Sequence, residues 1–299
     1  MKVCNLMTSE VFVVNRREPI LKAEAVMKWA RTRHVPVVDS TSKVVGLITH
    51  RDILAASTAI ISRIPADRAD EDLAGIPLES VMQTKVICVD PDADLATAAK
   101  LMQDNQIGCL PVTTNRRLMG IVTEADFVTL ARNCPADETV DSIMSRNLWT
   151  ADTKNNVFYI DQLMQWARIR HVPYVDEDRH LVGIISHRDL LRTCLSTLVS
   201  AHSRSRAAHL RRINVDDIAT RDPHTTTPKS RIRDVAQIML EEKIGALPVL
   251  ENDKLIGIIT EADLVKKVSN SLPRSNHHQT VSDSAFKSHR PVAWPPRSI

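Results

Sequence analysis

The chain repeats itself, and the repeat constrains the fold more than any other feature. Met27 to Asp52 reads MKWARTRHVPVVDSTSKVVGLITHRD, and Met164 to Asp189 reads MQWARIRHVPYVDEDRHLVGIISHRD, with 16 of 26 positions identical. Chance would give roughly one or two matches for an ordinary globular composition. Ile107 to Asp126 and Ile244 to Asp263 agree at 13 of 20 positions. His171 is His34 shifted by 137, and Asp263 is Asp126 shifted by 137, so the second half copies the first without a gap. Period detection comes before any residue-level reading because it dictates the architecture.

Each half holds two weaker copies of one unit. Gly46-Leu-Ile-Thr-His-Arg-Asp52 parallels Gly120-Ile-Val-Thr-Glu-Ala-Asp126, and Val35-Pro36-Val37 parallels Leu110-Pro111-Val112. The order is A-B-A′-B′. In unit A, Val11 to Val14 suits a short strand and Ile20 to Arg31 an amphipathic helix with Val26, Met27 and Ala30 on one side. Val35 to Val38 and Val44 to Ile48 form a hairpin across the turn Asp39 to Lys43, and Thr49 opens a second helix. Pro36 fits only a strand start or an unpaired edge. The unit is β-α-β-β-α, a thin core by itself, so units are expected to pair.

Each unit ends with glycine, apolar residues and a hydroxyl-x-x-Asp tetrad: Thr49/Asp52, Thr123/Asp126, Ser186/Asp189 and Thr260/Asp263. One reading is a capping box, in which the hydroxyl caps the helix and the acid returns to the cap's N–H. The other is a nucleotide site. A helix N-terminus presents free N–H groups to phosphate, the hydroxyl donates to a phosphate oxygen, and the carboxylate accepts from a ribose diol. The fourfold recurrence favours binding at one or more of them.

These residues resemble the CBS-domain family over roughly residues 1–268: the helix, the apolar-Pro-Val strand, the hairpin, the Gly-x-x-(Thr/Ser)-x-x-Asp ending and the pairwise order. The resemblance implies an α+β fold of four CBS repeats packed pairwise into two tandem Bateman modules, arranged as a flat disc. The first pair would span 1–136 (units 1–60 and 76–134) and the second 137–270 (units 137–197 and 213–270). It implies a regulatory protein that binds AMP, ADP or ATP, with or without Mg, in the clefts between repeats and rearranges its modules to control a partner. S-adenosylmethionine and cyclic dinucleotides are the alternative ligands. By motif, Asp52, Asp126, Asp189 and Asp263 would hold ribose, while Thr49, Thr123, Ser186 and Thr260 would meet phosphate. The assembly would be a homodimer or a disc completed within one chain.

The sites differ in charge. Units A and A′ carry His50-Arg51 and His187-Arg188 in the motif and Arg33-His34 and Arg170-His171 before the strand, where B and B′ have Glu124 and Glu261 in the motif. Arginine pairs with phosphate and glutamate repels it, so A and A′ are expected to bind phosphate more tightly. The bland readings are solvated helix ends, with Glu124 and Glu261 facing water. Trp29 and Trp166 are expected to pack between units. Gly46, Gly120, Gly183 and Gly257 signal close backbone approach, to a partner strand or to a ligand.

The remaining features argue by exclusion. No Cys-x-x-Cys pair occurs among five cysteines, so a thiolate zinc site or disulfide framework is not expected, and a reducing cytoplasmic setting fits. A net charge of +3 and 3% aromatics give no nucleic-acid signature, and no apolar run is long enough to span a membrane. No nucleophile-base set, P-loop or Rossmann fingerprint is present, so no catalysis is expected. An acidic linker (Arg63 to Ser80) and its basic copy (Ser200 to Asp217) are read as solvated, or as pairing across halves or chains. The tail from about Ser271 reads as disordered. A ligand-free scaffold, with tetrads that only cap helices, is the competing function.

Overall fold

The computed structural model describes residues 1–62, 75–200 and 206–272. In unit A, β1 (Val14–Asn15) runs parallel to β2 (His34–Val38), which forms an antiparallel hairpin with β3 (Val44–Thr49). α1 (Ile20–Ala30) buries Ile20, Ala23 and Met27, one stripe at helical spacing. α2 (His50–Ser62) follows the hairpin directly. Unit B repeats this with α3 (Leu95–Asn105), β4 (Cys109–Thr114), β5 (Arg117–Thr123) and α4 (Glu124–Ala131).

A′ contains α5 (Val157–Ala167), β6 (His171–Val175), β7 (Leu181–Ser186) and α6 (His187–Ser200). Two short helices, α7 (Arg206–Arg212) and α8 (Val215–Ile218), and β8 (Thr220–Arg221) lead to B′. B′ is α9 (Ile232–Glu242), β9 (Ala246–Glu251), β10 (Lys254–Thr260) and α10 (Glu261–Ser271). The expected β-α-β-β-α order is present in A, and in B, A′ and B′ the leading strand is reduced to a single parallel bridge, Val89 with Val112, Ala151 with Tyr174 and Thr226 with Val249. The first strand is shorter than Val11 to Val14 because Phe12 and Val13 are 47% and 41% exposed and only Val14 turns into the core.

Within each half the units exchange their leading segments. The chain start bridges B at Thr8 and Ile121, and the segment entering B bridges A at Leu47 and Gln83. The second half repeats both contacts, at Ser145 with Ile258 and at β7 with β8. These crossings explain the strand glycines. A Cβ on Gly120 would meet Thr8 O and Met7 Sδ at 2.8 Å each. The close approach is to the leading segment of the paired unit.

Between halves the packing is helical. α2 lies against α6 and α4 against α10. The apolar interior divides the same way: one core joins Ile20, Met27, Ile53 and Leu54 of A to Ile160, Leu163, Leu190 and Cys194 of A′. The other joins Phe127 and Val128 of B to Leu264 and Val265 of B′. Strand crossings thus tie A to B, and apolar burial, at about 25 cal/mol per Å², ties each half to the other.

Trp29 departs from expectation. It is 75% exposed and touches Phe12 edge-on at 5.0 Å rather than packing between units. Its counterpart Trp166 packs beside the A–A′ core and meets Trp149 at 5.1 Å in the same geometry. Of the two charged linkers, Glu79 lies beside Arg16 and Arg211 stacks over Phe158, each within its own half. The acidic residues Asp67, Asp70, Glu71 and Asp72, Arg204, and the tail beyond Leu272 lie outside the described residues.

Candidate functional site

All four tetrads close their own helices. Thr49 donates its backbone N–H (2.8 Å) and its hydroxyl (2.7 Å) to Asp52 Oδ2. Thr123 does the same to Asp126, Ser186 to Asp189 and Thr260 to Asp263. Both halves of the capping box are present at Thr49, Thr123 and Thr260, and the carboxylate half at Ser186. This geometry also bears on the expected role of the hydroxyls. Each has one proton, and that proton is committed to the carboxylate, so free first-turn N–H groups are what a phosphate would meet.

The second carboxylate oxygen distinguishes the sites. Asp52 Oδ1 accepts from Gln83 Nε2 at 2.6 Å. Asp189 Oδ1 lies 3.7 Å from Arg192 Nη1. Asp263 Oδ1 lies 3.5 Å from Ser145 Oγ. Burial pushes the Asp126 and Asp263 carboxyls up, against the hydrogen bonds from their caps.

The hollows between units are not filled. One cavity of about 1210 Å³ is lined by residues of all four units. It brings together Thr49, Asp52, Arg33, His34 and Arg51 of A with Ser186, Asp189, Arg170, His171 and Arg188 of A′, and Asp263 of B′. Thr123, Asp126 and Thr260 do not line it. Nine arginines and lysines face it against five carboxylates, so its field is cationic.

Glu124 and Glu261 do not face water. They are 5% and 6% exposed. Arg170 Nη2 lies 2.6 Å from Glu124 Oε2, and Arg33 Nη2 lies 2.5 Å from Glu261 Oε2. Each pair joins an A-type unit to the B-type unit of the other half. Burial raises the Glu124 carboxyl, opposed chiefly by Arg170. Arg33 and Arg170, expected to meet phosphate, are thus already paired.

Neither Arg51 nor Arg188 makes a hydrogen bond or ion pair with a described residue, and both line the cavity. Four histidines surround them. Burial and then the neighbouring arginines lower His34 and His171 well below the usual imidazole range. His50 falls to about 4 and His187 to about 3, burial first and arginines second. Neutral imidazoles among fixed guanidinium charges leave the cavity able to take an anion.

Several cavity residues were not anticipated from the sequence: Gln83, Lys85, Arg168, Arg192, Lys243 and Lys266. Arg168 Nη1 donates to Gln106 Oε1 at 2.8 Å, joining the left-handed ends of α5 and α3 across the halves. Only fold-level knowledge of which helix ends converge would have found them. Gly108 had a readable signal, since it stands where A has Arg33. A Cβ there would meet Arg170 Nη1 at 2.9 Å and Glu124 Oε2 at 3.0 Å.

The CBS domain model matches residues 3–59, 78–133, 140–196 and 215–270. The chain belongs to the CBS-domain family. The CBS chain is similar to MJ1225 of Methanocaldococcus jannaschii, 28% identical over 83% of this chain and 91% of that protein. The crystal structure of MJ1225, proposed as an archaeal homolog of g-AMPK, superposes with a TM-score of 0.80 at 26% identity, over 89% of this chain and 99% of that one. A 33.4 kDa protein of Thermofilum pendens is 26% identical over 92% of both chains. A conserved Pyrococcus horikoshii protein shares the fold, with a TM-score of 0.61 at 22% identity over 90% of this chain and 100% of that one.

Proposed function

We propose that this CBS protein is a non-catalytic sensor of adenine nucleotides. AMP, ADP or ATP would sit in the clefts of A and A′ with phosphates directed into the shared cavity. The observation that carries this is the cavity itself: all four units line one cationic void between two helix N-termini, with Arg51 and Arg188 unpaired with any described residue. Helix N-termini and free guanidinium groups are what phosphate oxygens need. Excess positive charge disfavours the sulfonium of S-adenosylmethionine and favours a longer phosphate chain. Mg bound to the phosphates would soften that preference without reversing it.

Asp52 and Asp189 remain the ribose partners in this reading, through Oδ1. At Asp52 the ribose must displace Gln83. Occupancy of a void shared by four units would shift their relative placement, and a protein partner would respond to that shift. One chain supplies all four units, and we propose that it acts in the cytoplasm as a self-contained assembly or as a homodimer of such assemblies.

A scaffold reading has one observation in its favour, four tetrad carboxylates that each turn back to their own helix's cap. Calorimetry of the full chain with AMP, ADP, ATP with and without Mg, S-adenosylmethionine and a cyclic dinucleotide separates the two. Binding of adenine nucleotides in preference to S-adenosylmethionine supports the sensor. No heat and no thermal shift with any of them leaves the scaffold.

A further inference from the structure

His50 and His187 are the first residues of α2 and α6, and both rings line the shared cavity. His187 is 7% exposed, and its Nε2 is enclosed without a hydrogen-bond partner. A buried polar atom left unpaired beside a void is a position for a ligand atom.

The surroundings of the two rings are cationic from every side. Arg33 acts on His50 and Arg170 on His187 from just before β2 and β6, and each ring also meets the arginine of the other ring's helix, His50 that of Arg188 and His187 that of Arg51. His34 and His171 lie alongside. Of the carboxylates nearby, Glu124 of α4 and Glu261 of α10 pair with arginines, Asp52, Asp189 and Asp263 bind their caps, and Asp222 also lines the cavity. Without an anion the rings are held neutral, by burial first and by the field of the arginines second. An anion seated among those arginines reverses the field that the rings experience. Imidazole is the side chain whose proton can follow such a change near neutral pH.

We propose that the shared cavity takes its anion together with protons bound by His50 and His187, so that anion affinity rises as the pH falls. This rests on the anion-binding reading above. By linkage, each proton taken up gives about a tenfold gain in affinity per pH unit, between the free and bound titration points.

The test is histidine-ring NMR of the full chain, with the two resonances assigned by H50N and H187N made singly. Spectra are followed from about pH 8 to about pH 5.5, the range in which an ordinary imidazole titrates, without ligand, with sulfate and with ATP. Sulfate does not itself titrate there. The expected result is two rings that stay neutral throughout when free and protonate within the range when either anion is bound. Anion-induced changes elsewhere in the spectrum with unmoved His50 and His187 titrations would overturn the proton uptake and leave the nucleotide reading standing. Absence of any spectral change with both anions would overturn both.

Discussion

The guanidinium of Arg33 and the carboxylate of Glu261, 228 residues apart in the chain, lie 2.5 Å apart beside the shared cavity. Arg170 and Glu124 repeat the pair at the position related by the internal repeat. The two bridges tie A to B′ and A′ to B, diagonally to both the strand crossings and the helical cores. Truncating one partner of a buried pair leaves an uncompensated charge. Glu261→Gln should therefore destabilise the chain by about 3 kcal/mol, and Arg33→Met together with Glu261→Met should recover most of it. Denaturant unfolding measures both, and additivity of the single changes would refute the coupling.

Gly108 underlies the second bridge. Gly108→Ala puts a methyl group 2.9 Å from Arg170 Nη1 and 3.0 Å from Glu124 Oε2, so the pair must shift. The expected cost is about 1–3 kcal/mol, as for other overpacked interiors. Gly75, with nothing within 4 Å of its Cβ position, is the control. Equal unfolding midpoints for Gly108→Ala and Gly75→Ala would show that the bridge tolerates the methyl.

Much of this was legible in the residues and some was not. The fourfold unit, the hairpins and the tetrads follow from periodicity and spacing, because local geometry requires those residue types. The diagonal bridges did not follow, although the sequence carried their signature: where A has Arg33 and His50, B′ has Gly245 and Glu261. Complementary exchange between repeats becomes a contact only once topology shows which units meet. Trp29 was misread because helical position does not reveal which face a neighbour covers.

The ribose assignment predicts an asymmetry. Asp52→Ala with Asp189→Ala should lower adenine-nucleotide affinity more than Asp126→Ala with Asp263→Ala, because only the first pair belongs to the tetrads of the two cationic units. All four changes remove a capping carboxylate and should each cost about 1 kcal/mol of stability. Calorimetric titration of the two double variants decides the matter, and equal losses of affinity would contradict it.

Asp161 predicts a pH dependence away from the site. It is 3% exposed on α5, its Oδ1 has no hydrogen-bond partner, and burial raises it to about 6. The unfolded chain releases that proton first, so stability is complete below the ordinary carboxyl range and is lost as the pH rises toward about 6. Asp161→Asn should remove this slope and stabilise the chain by about 1–3 kcal/mol at neutral pH. Thermal unfolding from acid to neutral pH measures it, and an unchanged slope would show that Asp161 is not its source.

The most direct test of the cationic cavity is the affinity series AMP, ADP, ATP without Mg, measured for the native chain and for Arg51→Ala with Arg188→Ala. The account predicts tighter binding with each added phosphate in the native chain, and a series that flattens in the variant while AMP binding changes least. A native series that is flat, or one whose slope survives loss of both arginines, would contradict it.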